Sequence, residues 1–198
     1  MLFQETEQQN LLPQDGIVHY WPGIITGPEA DDYFQRLMNE VHWRADEARM
    51  YGKHFITRRQ FAWYADCTYE YVYSGVARKA MLWIPLVTEL KQRVEGVTGQ
   101  SYQSCLLNLY PDGDSGMSWH QDDEPELRKN GSIASLSFGA QRKFSLKHIS
   151  TGEKRDVLLD HGDLLEMGGE TQSHWRHCVP KTKRVTEPRI NLTFRQMA

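Results

Sequence analysis

The chain has no apolar run long enough to span a bilayer, and no leader with the charged, apolar and small-residue order of a secretory signal. No membrane partner is therefore expected. Cysteine is scarce: Cys67, Cys105 and Cys178 are three in 198 residues, far apart and odd in number. They form neither a disulfide framework nor a C-x-x-C motif, so a reducing, cytoplasmic setting is the expectation. Internal repeats and low-complexity tracts are also lacking, which excludes a repeat architecture. Nor is there a large net charge: 23 basic against 26 acidic residues leave −3 at pH 7. Globally that argues against nucleic acid. The cations are uneven, however, with Arg49, Lys53, Arg58 and Arg59 in one segment and Arg176, Lys181, Lys183, Arg184, Arg189 and Arg195 in another. Local patches matter more than the sum.

What is present suits one domain. With 39% hydrophobic and 25% charged residues, the chain can bury a real core. Residues 1–15 read as a polar tail and 16–198 as the domain. Residues 16–25 suggest a short strand. Pro28 with Glu29, Asp31 and Asp32 opens a helix whose core face is Tyr33, Phe34, Leu37, Met38 and Val41. A second helix is predicted over 84–96, with Leu86, Val87, Leu90 and Val94 buried and Gly96 and Gly99 ending it. Between them, at about 45–80, aromatics and basics interleave. Tyr69, Tyr71 and Tyr73 alternate on one strand face, and residues 50–53 read as a hairpin tip. Such a segment is either a half-buried aromatic sheet or a stacking surface for bases. From about 101 to the end, short strands separated by turns predict a barrel or double-sheet jelly roll. The fold class expected is α+β.

Three patterns carry chemistry. In W-H-Q-D-D-E (119–124), His120 and Asp122 share a face if the segment is a strand, and an imidazole beside a carboxylate makes two ligands for a divalent metal. A third must come from elsewhere, and His148, His161, His174 and His177 are the candidates among which periodicity does not choose. In R-I-N-L-T-F-R (189–195), Arg189, Asn191, Thr193 and Arg195 lie opposite Ile190, Leu192 and Phe194. Arginine forks hold carboxylates by paired hydrogen bonds, so the polar face suits a small dicarboxylate. Taken alone, it could equally be an exposed face making surface ion pairs. Asn108 and Tyr110 repeat that logic on the strand over 104–110.

These pieces together resemble the AlkB family of Fe(II)- and 2-oxoglutarate-dependent dioxygenases, and most nearly its duplex-DNA repair branch. The matching stretches are N-L-Y (108–110), W-H-Q-D-D-E (119–124), I-A-S-L-S-F-G (133–139), S-H-W-R-H-C-V-P (173–180) and P-R-I-N-L-T-F-R (188–195), with W-I-P (83–85) and G-V-T-G-Q (96–100) typical of the branch. The resemblance implies a double-stranded β-helix core (about 101–198), N-terminal helices and a nucleotide-recognition lid (about 45–80). It implies His120, Asp122 and His177 as iron ligands, with His174 a neighbour. Asn108, Tyr110, Arg189, Asn191, Thr193 and Arg195 would form the 2-oxoglutarate pocket. The base-binding residues it implies are Tyr51, Gly52, Lys53, Tyr71, Val72, Tyr73, Asp123 and Glu124. Tyr51 would be the finger that fills the gap left by an extruded base. No catalytic side chain beyond the metal centre is implied. The activity implied is oxidative demethylation of 1-methyladenine and 3-methylcytosine in DNA, consuming O2. The same chemistry on RNA, or a protein or small-molecule hydroxylase, are the alternatives. A monomer is expected, at the nucleoid in a bacterium or in the nucleus of a eukaryote.

Overall fold

The computed structural model describes residues 9–50, 53–73 and 76–198, with side chains described except at 47–50, 53–55, 71–73 and 76–78. Its centre is an eight-stranded sheet ordered β1-β12-β9-β14-β7-β3-β2, with β6 added in parallel to β3. These strands are β1 (Ile17–Trp21), β2 (Arg44–Met50), β3 (Lys53–Ala65), β6 (Met81–Leu82), β7 (Ser104–Tyr110), β9 (Ile133–Gly139), β12 (Leu164–Gly168) and β14 (Arg189–Arg195). A four-stranded sheet faces it in the order β11-β10-β13-β8, from β8 (Met117–His120), β10 (Arg142–His148), β11 (Lys154–Leu159) and β13 (Trp175–Val179). β4 (Glu70–Tyr73) and β5 (Val76–Lys79) pair with each other.

Strand alternation assigns each face its job. Leu107 and Leu109, Leu136 and Phe138, and Ile190, Leu192 and Phe194 point to one side of the large sheet. There they meet α1 (Gly27–Glu40) through Tyr33 and Leu37, and α2 (Pro85–Thr98) through Leu86, Leu90 and Val94. The other side of β14 and β7 looks toward the small sheet, whose Phe144 and Leu146 join Leu165, Met167 and Trp175 in a second core. All seven residues of β14 are buried, so its polar face is interior and the surface ion-pair reading does not hold. That face lines the space between the two sheets. The double-sheet core with few helices is the jelly roll expected.

Several boundaries differ from the sequence reading. α2 runs through Gly96 and ends at Thr98, where Gly99 takes the left-handed conformation (φ 68°) and closes the last turn on Glu95. The large sheet also takes in β1 and the second half of β3, whose residues 60–65 pair with β7. The described part of the tail is tied down. Asn10 Oδ1 accepts from the backbone N–H groups of Leu12 and Val18, and Leu12 is buried in the second core. Of the tail, residues 1–8 lie outside the described set.

Candidate active site

Antiparallel register builds the first half of the site. β13 pairs with β8 so that His177 lies directly opposite His120. Directly opposed residues share a face, and the two imidazole centroids are 4.2 Å apart. β8 stops at His120, so Asp122 stands on the following loop, not on a strand as the spacing suggested. It still reaches the histidines: its Oδ1 is 3.8 Å from His120 Nε2. One ligand atom from each of His120, Asp122 and His177 can be chosen so that all lie within 4.8 Å of one another.

Protonation suits a cation at this point. His120 Nδ1 lies 2.8 Å from the Ser118 carbonyl, an acceptor, so Nδ1 is the donor of that contact and Nε2 is the nitrogen on the Asp122 side. Burial, with His120 alongside, pulls His177 down to about 3, so it is neutral at pH 7. Its buried Nδ1 has no hydrogen-bond partner among the described residues. Burial, the largest single influence, would raise the Asp122 pKa, but Arg195, His177 and His120 together outweigh it and hold the carboxyl below its ordinary value. Two imidazoles, that of His177 neutral, and one ionised carboxylate fit the donor set of an Fe(II) facial triad.

A pocket runs from these three residues along β14 and β7. Its wall includes Asn108, Tyr110, Ser135, Arg189, Asn191, Thr193 and Arg195. The two arginines stand at its ends. Arg195 Nη2 donates to Asp122 Oδ1 at 2.9 Å, with Glu124 Oε1 3.9 Å from its Nη1. Arg189 Nη2 donates to Ser137 Oγ at 2.8 Å and Asn191 Oδ1 at 3.0 Å, while its buried Nε and Nη1 have no hydrogen-bond partner among the described residues. Burial, with Arg142 nearby, lowers the Arg189 pKa to about 10. Arg189 and Arg142 both lie over the Tyr110 ring, at 5.5 and 5.8 Å. Unspent donors on a buried cation call for an anion. The length of β14 separates its arginines, and the pocket resolves this by placing each at its own end.

Asp123 and Glu124 line a different cavity of about 340 Å³, with Arg128, Lys129, Gln172 and Gln196 also in its wall. Asp123 is exposed. Glu124 is half-buried, and burial, with Asp122 and Asp123 nearby, raises its pKa despite Arg195. Lys53, Tyr71, Val72 and Tyr73 have strand backbones, in β3 and β4. Their side chains, and Tyr51 and Gly52 altogether, lie outside the described residues. The flanking Met50 pairs with Lys53, as a hairpin tip requires. Arg58 is exposed and pairs with Asp112 at 2.6 Å, while Arg59 is buried against Asp46 at 2.5 Å.

The other histidines stand elsewhere. His148 and His174 stack in parallel at 6.2 Å, away from the triad, in a second cluster with Asp15. His174 thus groups with His148 and Asp15 rather than with the three candidate ligands. His148 Nδ1 accepts from the Thr151 N–H, and its Nε2 meets Asp15 Oδ2 at 3.1 Å. Both ring nitrogens are spent, so this cluster is a structural hydrogen-bonded pair rather than a metal site. His161 Nδ1 accepts from the Gly139 N–H. Ser135 in the pocket wall and Ser137 beside Arg189 were not singled out from the sequence, although they share one face of I-A-S-L-S-F-G. Arg142 and Gln172 carry no sequence signal.

A profile of the 2OG-Fe(II) oxygenase superfamily matches residues 17–195. The chain belongs to this superfamily, and within it to the AlkB family. It is 39% identical over 181 residues to the human DNA oxidative demethylase ALKBH2, covering 85% of this chain and 69% of that one. It is likewise 39% identical over 184 residues to the bovine alpha-ketoglutarate-dependent dioxygenase alkB homolog 3, covering 88% of this chain and 64% of the relative. The solved structure of OsALKBH1 superposes with a TM-score of 0.66 over 90% of this chain and 96% of that one. At 18% identity it speaks for the fold alone. Members of this superfamily use Fe(II), 2-oxoglutarate and O2, and the His120, Asp122, His177 cluster is this chain's candidate iron site. No helix among the described residues is long and apolar enough to cross a membrane.

Proposed function

We propose that this protein is an oxidative demethylase of alkylated DNA bases, acting as a monomer on 1-methyladenine and 3-methylcytosine wherever the cell keeps its DNA. One observation carries the reading. A cluster of two histidines and a carboxylate closes one end of a buried pocket, and an arginine with two unspent donors closes the other. An iron ion at His120, Asp122 and His177 and a dicarboxylate reaching Arg189 would satisfy both ends at once. Bound there, the two supply the oxidation: O2 and 2-oxoglutarate are consumed, succinate and CO2 form, and the methyl carbon leaves as formaldehyde, restoring the base.

The chain's own residues bind and orient. Arg189 takes the distal carboxylate, with Tyr110, Asn191 and Asn108 along the wall. Arg195 and Thr193 stand toward the iron end, where Arg195 also steadies Asp122. Both lesions are cationic, and the acids Asp123 and Glu124 on the ligand-bearing loop suit that charge. The hairpins β2–β3 and β4–β5 form the nucleotide-recognition lid, in which Tyr51, with Gly52 and Lys53, replaces the extruded base and Tyr71, Val72 and Tyr73 flank it. A base blocked at its pairing edge leaves the stack at least cost, which itself favours damage. The likeness to proteins named DNA oxidative demethylase supports DNA over the other substrates.

The test is formaldehyde release from methylated DNA, methylated RNA and methylated peptide, each with and without Fe(II) and 2-oxoglutarate. Release from DNA above the others, dependent on both additions, is expected. Release from RNA or peptide alone would overturn the substrate assignment.

A further inference from the structure

Asp122 sits on a loop with no strand partner of its own, yet its carboxylate must be aimed at the two histidines. Residues 121–132 are held at the far end by the C-terminus: Arg128 N–H donates to the Gln196 carbonyl and Ala198 N–H to the Glu126 carbonyl, both at 2.9 Å. At the near end the hold comes from Gln172. Its Oε1 accepts the Asp122 backbone N–H at 2.9 Å, and its own carbonyl accepts from Gln121 Nε2 at 2.5 Å. Its Nε2 lies 3.5 Å from Met167 Sδ.

Gln172 stands on a rigid base. It lies on the short turn α3 (Thr171–His174), which leads directly into β13 and His177. Thr171, buried, donates to the Gly168 carbonyl at 2.6 Å and accepts the Ile17 N–H at 2.9 Å, which fixes the turn to β1 and β12. The neighbouring Trp175 is fully buried and donates to the Gln14 carbonyl at 3.1 Å. One frame therefore sets the position of His177 and, through one amide oxygen, the position of Asp122.

We propose that Gln172 is a positioning residue that fixes the Asp122 backbone so that its carboxylate serves the metal. Arg195 draws on the same carboxylate from the side. With the backbone free to shift, Asp122 can follow Arg195 and abandon the geometry that two histidines and a carboxylate must share. Partners that orient metal ligands are worth roughly 10- to 100-fold in metal affinity.

This inference rests on the triad assignment. The test uses Mn(II) as the probe, titrated into the purified full chain and followed by electron paramagnetic resonance. Gln172→Met keeps length and volume but loses the acceptor, while Gln172→Glu keeps both. Gln172→Met should bind Mn(II) about 10- to 100-fold more weakly than wild type. The metal-free melting temperature should be unchanged, and Gln172→Glu should recover most of the affinity. Equal Mn(II) binding by Gln172→Met and wild type would overturn the positioning role. So would an equal loss in both variants with a shared fall in melting temperature, which would mark a purely structural residue. Absence of Mn(II) binding by wild type would instead overturn the triad assignment beneath it.

Discussion

Arg195 Nη2 donates to Asp122 Oδ1 at 2.9 Å, and both residues are buried. The pair is a charge balance in waiting. Without a metal, Arg195 compensates the Asp122 carboxylate. With one, the ion shares that work. Breaking a buried pair from one side costs about 3–5 kcal/mol. Arg195→Met should therefore lower the melting temperature of the metal-free protein by roughly 10 °C. Saturating Mn(II) should recover part of the loss, because the cation then faces Asp122. Paired thermal scans with and without Mn(II) decide it; equal drops in both would show that Arg195 and the ion do not share the carboxylate.

Each of His120→Ala, Asp122→Ala and His177→Ala should abolish turnover and Mn(II) binding together. His120 is partly exposed, so its variant should also keep the wild-type fold. Chelator treatment of the wild type should stop formaldehyde release, and Fe(II) should restore it. Full activity in any one variant removes that residue from the ligand set.

The parts legible in the sequence were those with a period. β14 alternates apolar and polar residues without a break and β7 does so from Leu107 to Tyr110, so their faces followed directly, while the pocket-lining role of Asn108, Arg189 and Asn191 came with the resemblance, the pattern alone leaving an exposed face open. The illegible parts depend on contacts between distant residues. Asp122 looked like a strand neighbour of His120, but the strand ends two residues before it and a side chain 50 positions away replaces the ladder. His177 was chosen over His174 by the resemblance, since periodicity left both open and the register between β13 and β8 that sets His177 opposite His120 is encoded in no local period. Arg142 holds the carbonyls of Asp112, Gly113, Ser115 and Pro180, and nothing around it in the chain announces that.

The N-terminal segment gives a prediction on stability. Leu12 is buried beside Val18 and Trp175 in the second core, which a frayed tail would not be. Leu12→Ala should cost about 2 kcal/mol or more. Chemical denaturation would show it as a lower midpoint with an unchanged slope. An unchanged midpoint would mean that the segment does not contribute to the folded core.

Tyr51 is assigned to the lid by resemblance, at the hairpin between β2 and β3. If it fills the gap left by an extruded base, Tyr51→Ala should reduce repair of duplex substrates more than of single strands. Single strands have no partner base to replace. Rates measured on the same methylated sequence in both forms test this, and equal losses would remove the finger role.

Arg189 offers the sharpest separation of roles. Its buried guanidinium gives one nitrogen to Ser137 and Asn191 and keeps Nε and Nη1 unspent at the end of the pocket away from Asp122. It touches none of the three candidate ligands. Arg189→Met should raise the KM for 2-oxoglutarate by about 100-fold or more, since a charged hydrogen-bonded pair is worth about 1.5–3 kcal/mol and the desolvated carboxylate adds to that. Mn(II) affinity in the absence of 2-oxoglutarate should stay at the wild-type value. Arg195→Met should instead disturb the metal first. If Arg189→Met weakened Mn(II) binding as much as 2-oxoglutarate binding, the two ends of the pocket would not be separate sites, and the assignment of Arg189 to the distal carboxylate would fall.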